Sequence, residues 1–494
     1  MPVKFATAFP GLLAASVALS GCTPGSPVTG GTEKEPTFNG TQAETAAASA
    51  QFADTKLLIV AYNDDTYDGK VQYSATDRTV YPGASLLGFS YSTNNGLTWT
   101  YGGKVKPPAG IAALWGDPAI VTSKTNPNRV YITELAADDA IVPSTGKQGT
   151  MATSGACVAH SADGGRHFYI MGCFGADRDF YDGTALAAAG PPNGDIFAAY
   201  TDLSHNRMDV WRSPGGIGAF QRLGDPFPGM QMLYHPRMAV DDVTGALIVA
   251  AIGRNPVAGD YRIYMNRLIG NSWQTPVMAS QPASGVQVTI GTQTIRTASG
   301  FSFDVGAQSH TPLNIRARVR TYPDAIRLLY TTRDSATQRI YVRGTGCARN
   351  LSICEDVPQW GTTPGNFDTR GDSWNPTVKA WRGTSGSPAE WMATYQTTDD
   401  RNDRVSIKKG ALSRGPLGDP LFQPLPLMTP RIVCPDRRYG SGGYWGDYDE
   451  SAHVGIAANG AAEFLLAFTD SSKGCVTQTP FHSAHVHVRA IRFQ

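Results

Sequence analysis

Ser161-Ala162-Asp163-Gly164-Gly165-Arg166-His167-Phe168 reads as a hairpin turn that locks itself. The Asp side chain accepts from backbone N–H groups of the turn, and glycine supplies a residue with positive φ. The closing aromatic ring then packs under the hairpin. Ser92-Thr93-Asn94-Asn95-Gly96-Leu97-Thr98-Trp99 repeats the pattern Ser-x-Asp-x-Gly-x-x-aromatic, with Asn in the Asp place. Both copies lie between runs of strand-like residues. Turns of this kind join strands, so the chain is expected to be all-β.

The residues just outside the first turn agree. Cys157 and Cys173 flank it and would face each other on paired strands, which brings Cα atoms into disulfide range. Cys347 and Cys354 flank a short loop, and Cys434 and Cys475 remain. With Cys22 set aside these six read as disulfides of an exported chain, although six cysteines allow 15 pairings. Free buried thiols or a metal site are the alternatives, and no Cys-x-x-Cys spacing supports zinc.

Further out, a short order recurs: a polar lead, a small-residue strand, then an aliphatic strand. The leads are Glu44-Thr45, Gly116-Asp117-Pro118, Tyr181-Asp182-Gly183, His235-Pro236-Arg237, His310-Thr311-Pro312, Trp374-Asn375-Pro376 and Gly446-Asp447-Tyr448. The partner strands are Lys56–Tyr62, Arg129–Leu135, Asp195–Thr201, Ala246–Ile252, Ala325–Thr331, Glu390–Gln396 and Glu463–Thr469. Seven units of this spacing suit four-stranded blades with loops. Third-to-fourth-strand turns are expected at Arg212–Phe220 and Asn266–Trp273, and the last unit, ending at Val486–Phe493, is expected to lack its own outer strand. A β-propeller of seven blades is expected, or six if Glu44–Ala48 is not an inner strand. Two stacked β-sandwiches fit the strand number but not the recurring order.

The start of the chain is an address. Lys4 precedes an apolar, small-residue run over Phe5–Ser20, too short for a comfortable transmembrane helix and suited to a signal peptide. Leu19-Ser20-Gly21-Cys22 resembles the bacterial lipobox, so Cys22 is expected to be the lipidated mature N-terminus. Thr23 after it resembles Gram-negative lipoproteins of the outer membrane. Residues 1–21 are thus read as signal peptide, 22–43 as a flexible tether rich in Gly, Pro, Thr and Glu, and 44–494 as one propeller domain. A net charge of +1 gives no field for nucleic acid. Charged residues make up 17% and glycines number 54 of 494, so short strands and many turns outweigh helices. A monomer without cofactor is expected.

The two turns resemble the Asp-box (BNR) repeat of sialidase-like β-propellers. Asn126-Pro127-Asn128-Arg129-Val130-Tyr131, and Gly446-Asp447-Tyr448 with Gly455-Ile456-Ala457-Ala458, resemble exported bacterial proteins of that superfamily. The resemblance implies the propeller fold over nearly everything after the tether, and the box itself is structural there. Sialidase chemistry needs three arginines on the substrate carboxylate, a Tyr with a neighbouring Glu as nucleophile, and an Asp as acid/base. Here the Phe/Tyr-Arg-Ile-Pro motif is absent: Tyr261-Arg262-Ile263-Tyr264 lacks the Pro and lies mid-chain. Ahead of the first box Lys56–Ser90 holds only Arg78, and Glu134 and Glu450 are the only plausible glutamates near strand ends.

Polar residues opening the inner strands are expected to converge on one mouth of the central channel. They are Asp117, Asp179, Asp182, His235, Arg237, His310, Arg370, Asp372, Asp447 and Asp449. Two guanidiniums among carboxylates suit an anionic or sugar ligand, whereas mutual ion pairs or turn capping would make the same residues architectural. The leading expectation is a surface-anchored propeller binding a glycan or protein ligand at this mouth. The alternative is a carbohydrate-active hydrolase of the superfamily. Three lesser features have simpler explanations. Arg370-Gly371-Asp372 is only a tripeptide match to integrin ligands. Asn63–Gly69 is acid-rich without the alternation of a calcium loop, and His482, His485 and His487 share a strand face.

Overall fold

In the computed structural model of the 494-residue chain, the residues described are 42–64, 83–138, 155–175, 181–254, 259–282, 300–306, 325–334, 337–356, 372–381, 390–398, 404–414, 450–456, 462–470 and 485–493, with short pieces between them. They form a β-propeller. Aliphatic strands such as Leu57–Tyr62 and Leu247–Ile252 are buried along their whole length, because each sheet is covered on both faces by its neighbours.

Each blade is built on an up-and-down antiparallel meander, the first being Gln42–Phe52, Thr55–Asp64, Leu87–Ser92 and Thr100–Lys104; the second also takes Ala84–Ser85 parallel to its inner strand. The later sheets open on Ile111–Thr122, Tyr181–Ala188, Gln231–Val240, Phe301–Val305, Ser373–Trp381 and Ser451–Ile456. Each of these opening strands packs against the next, and the last returns to Gln42–Phe52, closing the ring. Only five of these sheets are blades of four or five strands among the described residues, which corrects the expectation of seven such blades, or six. The sheet opening on Ser373–Trp381 has six strands, and the one opening on Ser451–Ile456 has three among the described residues.

Every expected partner strand is present within three residues of its expected limits, and Glu44–Ala48 does lie in an inner strand. One lead is misplaced. The strand paired with Ile326–Arg333 is Phe301–Val305, upstream of His310, so His310-Thr311-Pro312 does not open it. His310 itself lies outside the described residues.

Both self-locking turns form as read. Ser161 Oγ accepts from Gly165 N–H at 2.8 Å, and Asp163 Oδ1 accepts from Arg166 and His167 N–H at 3.1 Å each. In the Asn copy, Gly96 N–H reaches Ser92 Oγ at 2.9 Å and Thr98 N–H reaches Asn94 Oδ1 at 2.9 Å. Gly165 has φ +90°, and a Cβ there would lie 2.7 Å from Ile59 of the first sheet. Phe168 meets Phe89 edge-on, ring centres 4.8 Å apart, so the turn fastens the second sheet to the first. Cys157 and Cys173 lie directly opposite and are joined, Cα atoms 4.0 Å apart; Cys347 and Cys354 are joined likewise. Cys22, Cys434 and Cys475 fall outside the described residues.

Candidate functional site

The polar leads have a backbone cause. The pairing register slips at Ala43/Ala46, Gly116/Ala119, Asp182/Thr184, Tyr234/Arg237 and Trp374/Thr377, so each of these innermost strands carries a β-bulge. The bulge residues Glu44, Asp117, His235 and Asn375 have positive φ between +45° and +56°, and Gly183 has +60°. Asn and Asp are enriched at such positions, and glycine takes them without strain.

Neighbouring bulges are tied around the ring. Asn63 donates from Nδ2 to Glu44 Oε2 at 2.5 Å and accepts Asp117 N–H at Oδ1 at 2.7 Å. Thr184 Oγ1 donates to the Asp117 carbonyl, and a Cβ on Gly183 would lie 3.0 Å from Pro236 Cδ. Glu450 N–H reaches the Thr45 carbonyl at 2.9 Å, and the Thr377 and Ser451 hydroxyls are 2.8 Å apart. Asn63 and Asp64 open the acid-rich stretch Asn63–Gly69, which reads as a turn rather than a calcium loop and lies outside the described residues from Asp65 on. Asn63 is a bulge bridge and Asp64 accepts from Tyr101 at 2.8 Å. Among the described residues no group of three or more His, Cys, Asp or Glu is arranged to hold a metal.

Beneath the bulges the inner strands enclose a cavity of about 170 Å³. Alanines such as Ala119, Ala185, Ala187 and Ala239 share its lining with larger apolar residues such as Met238 and Phe303, and its charged lining is Lys124, Arg237, Asp304, Lys379 and Glu450. Arg237 and Glu450 come from non-adjacent sheets and meet with Nε 3.3 Å from Oε1, their side chains 11% and 21% exposed. Asp304 accepts from the backbone N–H of Val305 and of Ala380, both at 2.8 Å. Lys124 pairs with Asp242 at 2.6 Å.

The anticipated residues therefore part company. Asp117, Asp182 and His235 sit at bulges of consecutive inner strands, and Arg237, just past one, lines the cavity. Asp372 is an intersheet tie: its carboxylate accepts Ile340 N–H at 3.0 Å, and its own N–H reaches Thr398 Oγ1 at 2.8 Å. Asp179, His310, Arg370, Asp447 and Asp449 lie outside the described residues. Arg262 of the Tyr-Arg-Ile-Tyr stretch is clasped by Asp260, Nη2 to Oδ2 at 2.8 Å. The lining residues Asp304 and Lys379 were missed, because neither stands at a polar lead; alternation past the Trp374-Asn375-Pro376 lead is the signal that finds Lys379, whereas Asp304 lies on Phe301–Val305, which no lead marks.

Glu134 is of another kind. It stands opposite Cys157 and the Asp117-Pro118 bulge, is fully buried, and neither carboxyl oxygen has a hydrogen-bond partner among the described residues. Burial pushes its carboxyl well above the usual carboxylate range. Ile132 and Ala136, on its face of the strand, pack into the apolar layer between the first two sheets, which keeps Glu134 away from the cavity.

No family model matches the chain, and no curated protein matches it. Among solved structures, it is similar to an α-L-arabinanase of Penicillium chrysogenum complexed with arabinobiose: TM-score 0.45, 8% identity, 77% of this chain and 98% of that one. A Trypanosoma rangeli sialidase in complex with the inhibitor DANA gives TM-score 0.39 and 11% identity over 75% of this chain, which spans about half of that one, 54%. An ulvan lyase of polysaccharide lyase family PL25 gives 0.43 and 9%, over 74% of this chain and 78% of that one.

Proposed function

We propose that this chain is a carbohydrate-binding propeller that takes the end of a glycan into its central channel. The observation that carries the reading is the cavity of about 170 Å³ with five charged residues on its lining, where ring closure brings Arg237 and Glu450 together from non-adjacent sheets. Their mutual ion pair alone would be architectural, and it is the open space beside it that admits a ligand. A guanidinium and a carboxylate lining a cleft orient sugar hydroxyls and acidic groups through charge-assisted hydrogen bonds. The cavity resembles in size the one of roughly 150 Å³ that holds a benzene ring, so a single sugar ring enters and a polymer stays outside. His235 and Asp182, at the bulges above, would meet the next unit. The reading makes the chain a monomer held to the outer membrane by a lipid on Cys22. Cys22→Ser is then expected to move the chain from the membrane pellet to the soluble fraction, and an unchanged distribution would remove the anchor.

Binding is tested by a glycan array probed with the chain and with Arg237→Gln. Signal lost in the variant at an unfolding cost of about 1–3 kcal/mol, from Glu450 left unpaired, fits the proposal. A stability loss with no glycan bound by the parent would reduce the pair to architecture. A second reading, hydrolysis, draws on Asp304 and Glu450 as two carboxylates lining one cavity, as glycosidases require. Turnover of fluorogenic glycosides that disappears in Glu450→Gln would favour it.

A further inference from the structure

We infer that Lys379 anchors an anionic group, a carboxylate, sulfate or phosphate, inside the central channel. The inference rests on the channel being the ligand site and adds the chemical class of what enters it. Of the charged residues lining the cavity, Arg237 is paired with Glu450, Lys124 with Asp242, and Asp304 is held by two backbone N–H groups. The Lys379 backbone pairs with Met392 in its sheet, whereas its ammonium has no ion pair and no hydrogen bond among the described residues. Val378 and Ala380, before and after it, pack with Leu329 and Val342, so strand alternation turns Lys379 to the opposite, channel-lining side.

The Lys379 side chain is partly buried on the cavity lining, and no described carboxylate there neutralises its charge, so its positive potential is directed into the cavity. The carboxylate of Asp304 is committed to the backbone of its own and the next sheet, and Glu450 is committed to Arg237. An incoming anion is therefore the partner that restores the balance. An ammonium is a compact point charge with three donors, so it accepts planar carboxylates and tetrahedral oxyanions alike. The volume admits either a free oxyanion or a single ring carrying one.

The test is calorimetric titration of the full chain at constant ionic strength with sodium sulfate, sodium phosphate, sodium glucuronate and uncharged methyl glucoside. Lys379→Met keeps the stem and removes the charge, and Lys379→Arg keeps the charge; unfolding midpoints of both verify the fold. At least one anion is expected to bind with unit stoichiometry, with affinity falling about tenfold or more in Lys379→Met and largely kept in Lys379→Arg. Anion binding that depends on Lys379 while no sugar binds would support this site and sink the glycan reading. Sugar binding untouched by Lys379→Met would do the reverse. Absence of binding by every anion up to roughly 10 mM, below any useful affinity, would overturn the anion site itself.

Discussion

Two carboxyl groups of the second sheet respond to pH in opposite directions, and the cause is visible at each residue. Asp163 is held below its usual range: partial burial raises it, but hydrogen bonds from His167, from Ser161 and from the turn backbone outweigh burial. Its contribution is present above the unfolded-state value and is lost as pH falls through the folded one. Glu134 has only burial acting on it, so its folded-state value is raised. The stability linked to that proton is complete below the unfolded-state value and drains away as pH climbs toward the folded one. Replacing Glu134 with Leu removes a desolvated polar group and this drain together. Thermal unfolding from pH 4 to pH 8 is therefore expected to show Glu134→Leu gaining on the parent as pH rises. A constant difference across the series would mean that the carboxyl finds a partner or water.

At the scale of strands, most of the fold was legible in the sequence, for a reason of burial. A strand such as Leu247–Arg254, covered on both sides, must be continuously aliphatic, and that run is conspicuous between turns. The leads were legible too, although their meaning was not. Gly116-Asp117-Pro118 and His235-Pro236-Arg237 were read as a ligand-facing rim, whereas their polarity first serves a bulge with positive φ and its ties to the next strand. The misplaced lead has the same root. Phe301–Val305 pairs with Ile326–Arg333 without any register slip, so it carries no polar flag, and His310-Thr311-Pro312 drew the eye instead. The disulfide Cys157–Cys173 was readable because one local turn fixes both partners. The meeting of Arg237 with Glu450 was not, because 213 positions of sequence separate the pair and only ring closure unites them.

Ring closure is also where the whole molecule is most exposed to a single cut. The three strands at the end of the chain cover the outer face of the first sheet: Ala47, Leu58, Val60 and Tyr62 pack against Val454, Leu465, Ala467 and Val488. Lys56 pairs with Glu463 at 2.7 Å across the same seam, and Glu450 N–H holds the Thr45 carbonyl. In an open array of repeats, loss of a terminal unit costs one interface and leaves the rest standing. A ring that loses a sheet loses two interfaces at once, together with the Glu450 side of the channel. Leu58→Ala, fully buried at the seam, is expected to cost about 2–5 kcal/mol. A chain ending at position 449 should do far worse, binding hydrophobic dye and unfolding without a cooperative transition in urea. If that shortened chain instead melts cooperatively near the parent temperature, the sheets are stacked as an open array. The convergence of Arg237 and Glu450 on one cavity would then lose its structural basis.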